Sequence, residues 1–350
     1  MSSNDFVIKN GVLKRYTGKD SVVTIPEGVT SIENKAFSNC TSLKSIAISN
    51  SVKSIGKWAF SGCSNLTSIT IPNGVTSIGA CAFYNCYKLA SITIPDSVTE
   101  IGYGTFENCT SLASITIPDS VTEIGWGAFD RCISLVSIII PNGVTEIGWG
   151  AFDRCISLIS IIIPNGVTSI GEATFRECTS LESVTIPNSV TSIDVGVFEY
   201  TPNLRDIYYK GSKAEWDKIT VEDDSFESNV TIHYNSSYSD DIKLLKIEEE
   251  VIRLLSEGKS EKEVYSTLKN KNIPTNDILD AFSKVKPSSE IIFSFCDRVV
   301  VPNILSILKK NNGISKYNVG EVADILYKKY PENLVNKAII SVLREQYLVD

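Results

Sequence analysis

A repeated unit of 23 residues is the feature that most restricts how this chain can fold. Residues 119–141 read DSVTEIGWGAFDRCISLVSIIIP and residues 142–164 read NGVTEIGWGAFDRCISLISIIIP, so the copies start 23 residues apart (142 − 119) and differ at only three positions. Looser copies continue on both sides. A unit this short cannot bury its own apolar face, so neighbouring copies must stack. The sequence therefore predicts a solenoid.

Four residue types keep the same step through the array. The Cys column holds Cys40, Cys63, Cys86, Cys109, Cys132, Cys155 and Cys178. The Phe column holds Phe37, Phe60, Phe83, Phe106, Phe129, Phe152, Phe175 and Phe198. Columns of Leu and Pro follow the same period, from Leu43 to Leu204 and from Pro72 to Pro187. Several columns in register over so many copies predict one continuous stacked core.

Each copy contains a short strand with alternating faces. In LASITIP we expect Leu112, Ile115 and Ile117 to point inward, and Ser114 and Thr116 to point outward, because side chains alternate along a strand. Equivalent strands in neighbouring copies are expected to pair in parallel, about 4.8 Å apart.

The second half of each copy is predicted to turn back towards the next strand. Ile124 belongs to a second apolar pair, and Gly125 suits a bend with positive φ. The stretch from Ala128 to Cys132 is predicted to form a short helical turn. The glycines at this position recur at the repeat step and are interpreted as turn glycines: Gly56, Gly79, Gly102, Gly125, Gly148 and Gly171.

The pattern L-x-x-I-x-I-P-x-x-V-T-x-I-G-x-x-A-F-x-x-C resembles the leucine-rich repeat of the BspA-like, or treponemal, type. The start FVIKNGVLKRYTG and the segment 207–235 resemble the caps of bacterial arrays of this type. The resemblance implies a leucine-rich repeat solenoid with parallel β-strands, an α/β repeat. It also implies binding of other proteins, an association with surface adhesins, and no catalytic site.

The pattern changes along the chain and predicts five segments. They are an N-terminal cap at 1–26 with a hairpin around Gly11 and Gly18, repeats at 27–206, a C-terminal cap of the solenoid at 207–235, a linker at 236–241, and an all-α domain at 242–350. The last segment has helical periodicity, and Ser260 with Glu263 forms a capping box for one of its helices.

The helical segment leaves a DNA-binding alternative open. Residues 318–350 have a helix–turn–helix rhythm, and Lys328, Lys329, Lys337 and Arg344 could meet phosphates. The competing interpretation is a helical bundle with solvated lysines. Residues 242–350 contain 17 Lys+Arg and 15 Asp+Glu, a weak excess of +2, and the whole chain carries −8. The charge therefore favours packing or a protein partner over nucleic acid.

The distribution of apolar residues along the chain predicts where the protein is located in the cell. No segment is apolar over the roughly 20 residues that a membrane span needs, and residues 1–16 lack the apolar core of a signal peptide. We therefore expect a cytoplasmic protein with reduced, buried cysteines, with unconventional secretion or display on the cell surface as the alternative.

No catalytic, cofactor-binding or metal-binding residues are predicted. His233 is the only histidine, and its alternating strand TIHY favours a structural role. The Cys column contains no CxxC pair, and its spacing spreads the thiols along an axis instead of converging them on one ion. The glycines form no phosphate-binding loop. The sequence predicts no enzyme, no cofactor and no small-molecule substrate.

A candidate partner-binding surface lies in the middle of the array. One column is aromatic and is flanked by acidic residues: Tyr103, Trp126, Trp149, Glu100, Glu123 and Glu146. Outward strand positions are small and polar in other copies, whereas the two similar copies are interpreted as having aliphatic residues on this face: Val136, Ile139, Ile159 and Ile162. Aromatic residues are favoured at interfaces, and a basic partner would offset the repulsion of stacked glutamates. The alternative is that duplication copied these residues without selection.

The expected function is a non-enzymatic scaffold that binds a protein partner of unknown identity through the repeat surface. The alternatives are a regulator whose C-terminal domain binds DNA, a surface adhesin, and an enzyme in the helical half.

Overall fold

The computed structural model describes residues 5–222, 230–235 and 259–271, together with seven single positions between 247 and 281. The single positions are Ile247, Glu250, Val251, Leu254, Ile273, Ile278 and Ala281. The chain divides into two units, Met1–Ile242 and Lys243–Asp350. The first unit is a parallel β-solenoid of about nine turns, as the repeats predict.

An antiparallel hairpin opens the solenoid. Strands β1 (Phe6–Lys9) and β2 (Val12–Tyr16) are joined by Asn10 and Gly11, which both have positive φ. The turn predicted at Gly11 is therefore present. Gly18 is not a hairpin turn, because the chain that follows it enters β3 (Val22–Thr24), the first parallel strand of the array.

The first strand row contains the Ser-Ile-Thr strands of the repeats. Its members are β3, β5 (Ser45–Ala47), β7 (Ser68–Thr70), β9 (Ser91–Thr93), β11 (Ser114–Thr116), β14 (Ser160–Ile162), β16 (Ser183–Ile186), β18 (Asp206–Tyr209) and β20 (Thr231–His233). Neighbours pair in parallel and in register, Ile92 with Ile115 for example. The row is interrupted at residues 136–140, which form no strand, so the sheet β3–β11 and the sheet β14–β20 are separate.

The second strand row contains β2 of the hairpin and the two-residue strands that precede each turn. Its members are β2, β4 (Ser31–Ile32), β6 (Ser54–Ile55), β8 (Ser77–Ile78), β10 (Glu100–Ile101), β12 (Glu123–Ile124), β13 (Glu146–Ile147), β15 (Ser169–Ile170), β17 (Ser192–Ile193) and β19 (Thr220–Val221). Strand β2 of the hairpin pairs in parallel with β4. The hairpin thus covers the open edge of this row, which would otherwise expose unpaired backbone groups.

The segment that closes each repeat is a run of tight turns. The helical turn predicted from Ala128 to Cys132 is wrong, since these residues form turns. Positive φ occurs at Gly127 (57°) and Arg131 (57°), and the equivalent residues of the other copies share it. A left-handed residue at each of these two positions reverses the chain before a helix can start.

Gly125 is needed for a different reason from the one predicted. Its φ is not in the left-handed region. A Cβ at this position would lie 2.8 Å from both the carbonyl carbon of Gly102 and the backbone nitrogen of Tyr103. Glycine here permits close approach of the backbones of adjacent repeats, and the bend itself is made two residues later.

Stacked aromatic rings form the centre of the core. The Phe column is fully or almost fully buried, and successive rings lie parallel, with centroids 5.1 to 5.7 Å apart from Phe37 to Phe198. Tyr16 of the hairpin stacks on Phe37 and Phe6 packs on Tyr16, so the column extends through the N-terminal end. Each ring buries its neighbours, which explains why one repeat cannot be stable alone.

In the strand LASITIP, the inward and outward assignment is correct except at Ser114. Leu112, Ile115 and Ile117 are buried and Thr116 is exposed. Ser114 is 4% exposed, although its counterpart Ser68 is exposed. Its strand lies next to the interruption at residues 136–140.

Two short helices are described. Helix α1 (Lys213–Trp216) lies between β18 and β19, and helix α2 (Glu261–Asn270) belongs to the second unit. The capping box predicted at Ser260 is confirmed, because the backbone N–H of Ser260 donates to the Glu263 carboxylate at 2.8 Å. Six of the single positions are also helical, namely Ile247, Glu250, Val251, Leu254, Ile278 and Ala281. The other residues of the predicted helices, and the basic residues proposed to meet phosphates, lie outside the described residues.

Candidate functional site

Six of the predicted site residues form one exposed feature, here called the aromatic–glutamate strip. It consists of Tyr103, Trp126, Trp149, Glu100, Glu123 and Glu146. All six are exposed, and the three aromatic side chains keep 51 to 54% of their surface in contact with solvent. The glutamates lie in the second strand row, and each aromatic residue follows its glutamate by three positions in the turn.

The glutamates are direct neighbours across the parallel sheet. Glu100 is the Cα partner of Glu123, and Glu123 is the partner of Glu146. The pKa of Glu123 is raised, first by partial burial and then by the negative charges of Glu146 and Glu100. Like charges directly opposite one another destabilise a sheet, so this row has an energetic cost in the free protein.

The tryptophans stack on one another along the array. The ring centroids of Trp126 and Trp149 are 5.0 Å apart, with 4° between their planes. A Cβ on Gly148 would lie 2.4 Å from Cδ1 of Trp126, and one on Gly171 would lie 2.6 Å from Cδ1 of Trp149. Each indole therefore occupies the space left by the glycine of the next repeat, which fixes the orientation of both rings.

The Tyr103 end of the strip adjoins two further carboxylates. The pKa of the Tyr103 hydroxyl is raised chiefly by the negative charge of Glu107. Burial and Asp130 raise the pKa of Glu107 in turn, against the opposing effect of Arg131. Burial raises the pKa of Asp130 to about 6, and its Oδ1 has no hydrogen-bond partner among the described residues. Negative charge thus continues from the strip into the turns.

Asp130 has one ion pair, from its Oδ2 to Nη1 of Arg131 at 3.3 Å, and the next repeats add stronger pairs. Asp153 accepts two hydrogen bonds from Arg176, the one from Nε at 3.1 Å, and Arg154 pairs with both carboxylate oxygens of Glu177 at 2.8 and 3.0 Å. Bidentate pairs of this kind are the strong ones. The bidentate pairs lie at the far end of the strip, whereas near Tyr103 the one ion pair among the described residues is the single contact between Asp130 and Arg131.

The aliphatic residues do not form the exposed patch that was predicted. Ile162 is buried at 8% exposure, and Val136, Ile139 and Ile159 are half-buried. Ile162 lies in β14 of the first strand row, Ile159 precedes that strand, and Val136 and Ile139 lie in the interruption of the row. The strip belongs to the second row and its turns. The proposed site therefore separates into two surfaces, and only the aromatic–glutamate strip is well exposed.

Two exposed isoleucines were missed. Ile133 and Ile156 are 38% and 40% exposed and occupy the same position in the two similar copies. The corresponding residue is Thr110 in one neighbouring copy and Thr179 in the other. The change from Thr to Ile is visible in the sequence, but it lies in a turn, outside the strand positions from which outward residues were predicted.

The described residues offer little for catalysis or metal binding. No group of three or more His, Cys, Asp or Glu side chains among them is arranged to hold an ion. His233 lies in β20, contacts Asp206 Oδ1 through Nε2 at 2.7 Å and stacks on Tyr208. None of the described helices has the length and apolar character needed to cross a membrane.

A family profile described as the BspA type leucine rich repeat region matches residues 15–125 and 99–233, with six copies. A comparison with curated proteins gives no match.

Among solved structures, the chain is similar to the T. pallidum leucine rich repeat protein, with 31% identity and a TM-score of 0.41, over 58% of this chain and 90% of that one. A leucine rich cell surface protein from Faecalibacterium prausnitzii shares 26% identity with a TM-score of 0.28, over 65% and 96% of the two chains. The pneumococcal vaccine antigen PcpA shares 19% identity with a TM-score of 0.40, over 63% and 69%.

Proposed function

Because the chain belongs to the BspA-type leucine-rich repeat family, we propose that it is a non-enzymatic scaffold that binds a protein partner through the aromatic–glutamate strip. Proteins of this repeat type generally mediate protein interactions or surface binding. The observation that carries the proposal is the side-by-side exposure of Tyr103, Trp126 and Trp149 next to a row of glutamates.

The strip has the composition of an interface. Tryptophan and tyrosine dominate interface energetics because they bury a large apolar area and lose little conformational entropy. The indoles of Trp126 and Trp149 are held by each other and by the glycines beneath them, so binding would cost little ordering. A preformed aromatic surface is therefore available to a partner.

The DNA-binding alternative has weaker support. It depends on residues 318–350, which lie outside the described residues, and no observation on the described ones favours it. The enzyme alternative has no support in the described residues, because no catalytic arrangement occurs there. The adhesin alternative differs from the main proposal in location. Membership of this repeat family fits the surface alternative and does not support the cytoplasmic expectation. Fractionation of intact cells with surface protease treatment would decide between the two locations.

The proposal is tested by finding a partner and measuring where it binds. The whole protein is used for affinity capture from cell lysate and from extracellular protein, and captured proteins are identified and purified. Titration calorimetry then compares the parent with Trp126→Ala and Trp149→Ala. We expect each substitution to weaken binding at least about tenfold, a loss typical of an aromatic interface residue.

Trp58→Ala is the matched control, since Trp58 is 39% exposed but lies outside the strip. Its affinity is expected to stay within about twofold of the parent. Ile139→Ser tests the half-buried aliphatic surface separately. Circular dichroism verifies that each variant is folded. If both strip variants are folded and bind the partner as tightly as the parent, the strip is not the docking surface.

A further inference from the structure

We propose that the part of the partner that contacts the aromatic–glutamate strip is an extended basic segment, whose Arg or Lys side chains pair with Glu100, Glu123 and Glu146 and stack on the indoles of Trp126 and Trp149. This inference rests on the proposed function and specifies the chemistry of its partner.

Charge complementarity is the first argument. Among the described residues, none of the three strip glutamates takes part in an ion pair, whereas Asp153 and Glu177 in the neighbouring turns are paired with arginines. Glu172 follows Trp149 in the aromatic column and is also exposed. Cations supplied by a partner would remove the repulsion within the glutamate row, which the free protein leaves uncompensated.

The tryptophans provide the second argument. A cation over an indole ring is attracted by its quadrupole, and arginine is the most frequent partner. The same solenoid contains such a contact at the repeat position that directly follows the one of Trp126 and Trp149. There, Nζ of Lys35 lies 5.2 Å from the centroid of the Trp58 ring. Lys35 and Trp58 come from adjacent repeats, so this solenoid already aligns a basic side chain with an exposed indole. Trp126 and Trp149 have no such cation among the described residues.

The shape of the strip favours an extended segment. Parallel strands are about 4.8 Å apart, so the glutamate row extends roughly 10 Å from Glu100 to Glu146, along the direction in which repeats stack. Alternate side chains of an extended peptide are about 7 Å apart, so two basic side chains of one segment can reach the three carboxylates. The aromatic column lies beside the row and would receive the segment's guanidinium or ammonium groups.

The test uses the full-length protein and fluorescein-labelled peptides of defined chemistry. The probes are a short peptide of alternating Arg and Gly, its Lys counterpart, and a Glu counterpart, measured by fluorescence anisotropy at near-physiological salt. We expect the Arg peptide to bind, the Lys peptide to bind more weakly because it lacks the planar guanidinium, and the Glu peptide not to bind. Binding should weaken as salt is raised.

A matched pair of triple variants separates site binding from attraction to an acidic protein. The strip variant is Glu100→Gln with Glu123→Gln and Glu146→Gln. The control is Asp96→Asn with Asp119→Asn and Glu182→Gln, which neutralises the same number of exposed carboxylates elsewhere. The strip variant should bind the Arg peptide at least about tenfold more weakly than the parent, and the control should lose less than about twofold. An equal loss in both variants, or no binding by the parent, overturns the inference.

The captured partner distinguishes this inference from the proposed function. If Trp126→Ala and Trp149→Ala weaken binding of the natural partner but the triple Gln variant binds it as tightly as the parent, the strip is the docking surface and the partner is not basic there. If neither set of changes matters, both proposals fail.

Discussion

Cys109 and Phe83 belong to neighbouring repeats and are joined by a hydrogen bond, in which Sγ of Cys109 donates to the backbone carbonyl of Phe83 at 3.2 Å. The same contact recurs from Cys63 to Cys178, at 3.1 to 3.3 Å. A thiol is a small side chain with a weak donor, so it fills the core and satisfies a buried carbonyl. The cysteines of the array are therefore structural.

The first prediction concerns thiol protection. Burial raises the pKa of Cys109 and of the other thiols of the Cys column from Cys63 to Cys178, so little reactive thiolate forms. We expect them to resist alkylation in the native protein and to react fully in denaturant, with Cys40, which is half-buried, modified first. Peptide mapping by mass spectrometry gives the order. Disulfides among most of them in freshly purified protein would contradict this interpretation.

The second prediction concerns the aromatic core. Phe129 lies between Phe106 and Phe152, at 5.5 and 5.3 Å, and is fully buried. Phe129→Ala should lower the free energy of unfolding by about 3–5 kcal/mol, because it leaves a cavity in the middle of the array. Thr116→Ala is the control at an exposed strand position and should cost less than about 0.5 kcal/mol. Urea denaturation followed by circular dichroism measures both, and similar losses would invalidate the core assignment.

The third prediction compares the effect of alanine at Gly125 and Gly102, which occupy the same position in neighbouring repeats. Gly125→Ala places a Cβ 2.8 Å from the backbone of the preceding repeat and should cost about 1–3 kcal/mol of stability. Gly102→Ala meets no atom closer than 3.9 Å, so it should be neutral or stabilise by up to about 1 kcal/mol. Thermal and urea unfolding of the two variants provide the comparison. Equal destabilisation would show that the column is constrained by something other than close approach.

The fourth prediction concerns pH. Burial raises the pKa of Asp130 to about 6, so the folded state binds this proton more tightly than the unfolded chain, whose Asp titrates near 4. The free energy of unfolding contributed by this group therefore falls as pH rises from about 4 to 6 and stays low above that. Asp130→Asn should stabilise the protein by about 2 kcal/mol at pH 7 and much less at pH 4.

Asp153→Asn is the contrasting change in the same column. Asp153 is ion-paired with Arg154 and Arg176, so its neutralisation should destabilise the protein at pH 7. Urea titrations at several pH values measure both variants. A destabilised Asp130→Asn variant at pH 7 would mean that the ion pair of Asp130 with Arg131 offsets the cost of burying the carboxylate.

Periodicity was sufficient to predict the solenoid, because a column repeated every 23 residues can be satisfied only by stacking. It also identified the buried residues, including Phe129 and Cys132. It was not sufficient to locate backbone strain. Gly125 was assigned the bend because it is glycine, whereas the positive φ at Arg131 occurs in a residue type that gives no signal.

The exposed aromatic column was predictable because Trp126 and Trp149 occupy a position at which another copy has the small residue Ala80. The burial of the aliphatic residues was not predictable, since the alternation of side chains along a strand takes no account of packing against neighbouring repeats. Ser114 and Ile162 are buried despite their outward positions, an effect of neighbouring copies that alternation does not include. Asp130 was missed because its unusual pKa depends on burial in the turn and on Asp153 one repeat away.

The register of the two similar copies has a consequence for the evolution of the protein. Strands pair at a constant offset, so removing residues 142–164 would join Pro141 to Asn165 and keep every column aligned. Unequal recombination between the gene segments that encode these two copies would therefore shorten or lengthen the array by whole units without disturbing the fold. Each such event would also remove or add one Trp and one Glu of the strip, so gene length and the extent of the exposed surface would change together.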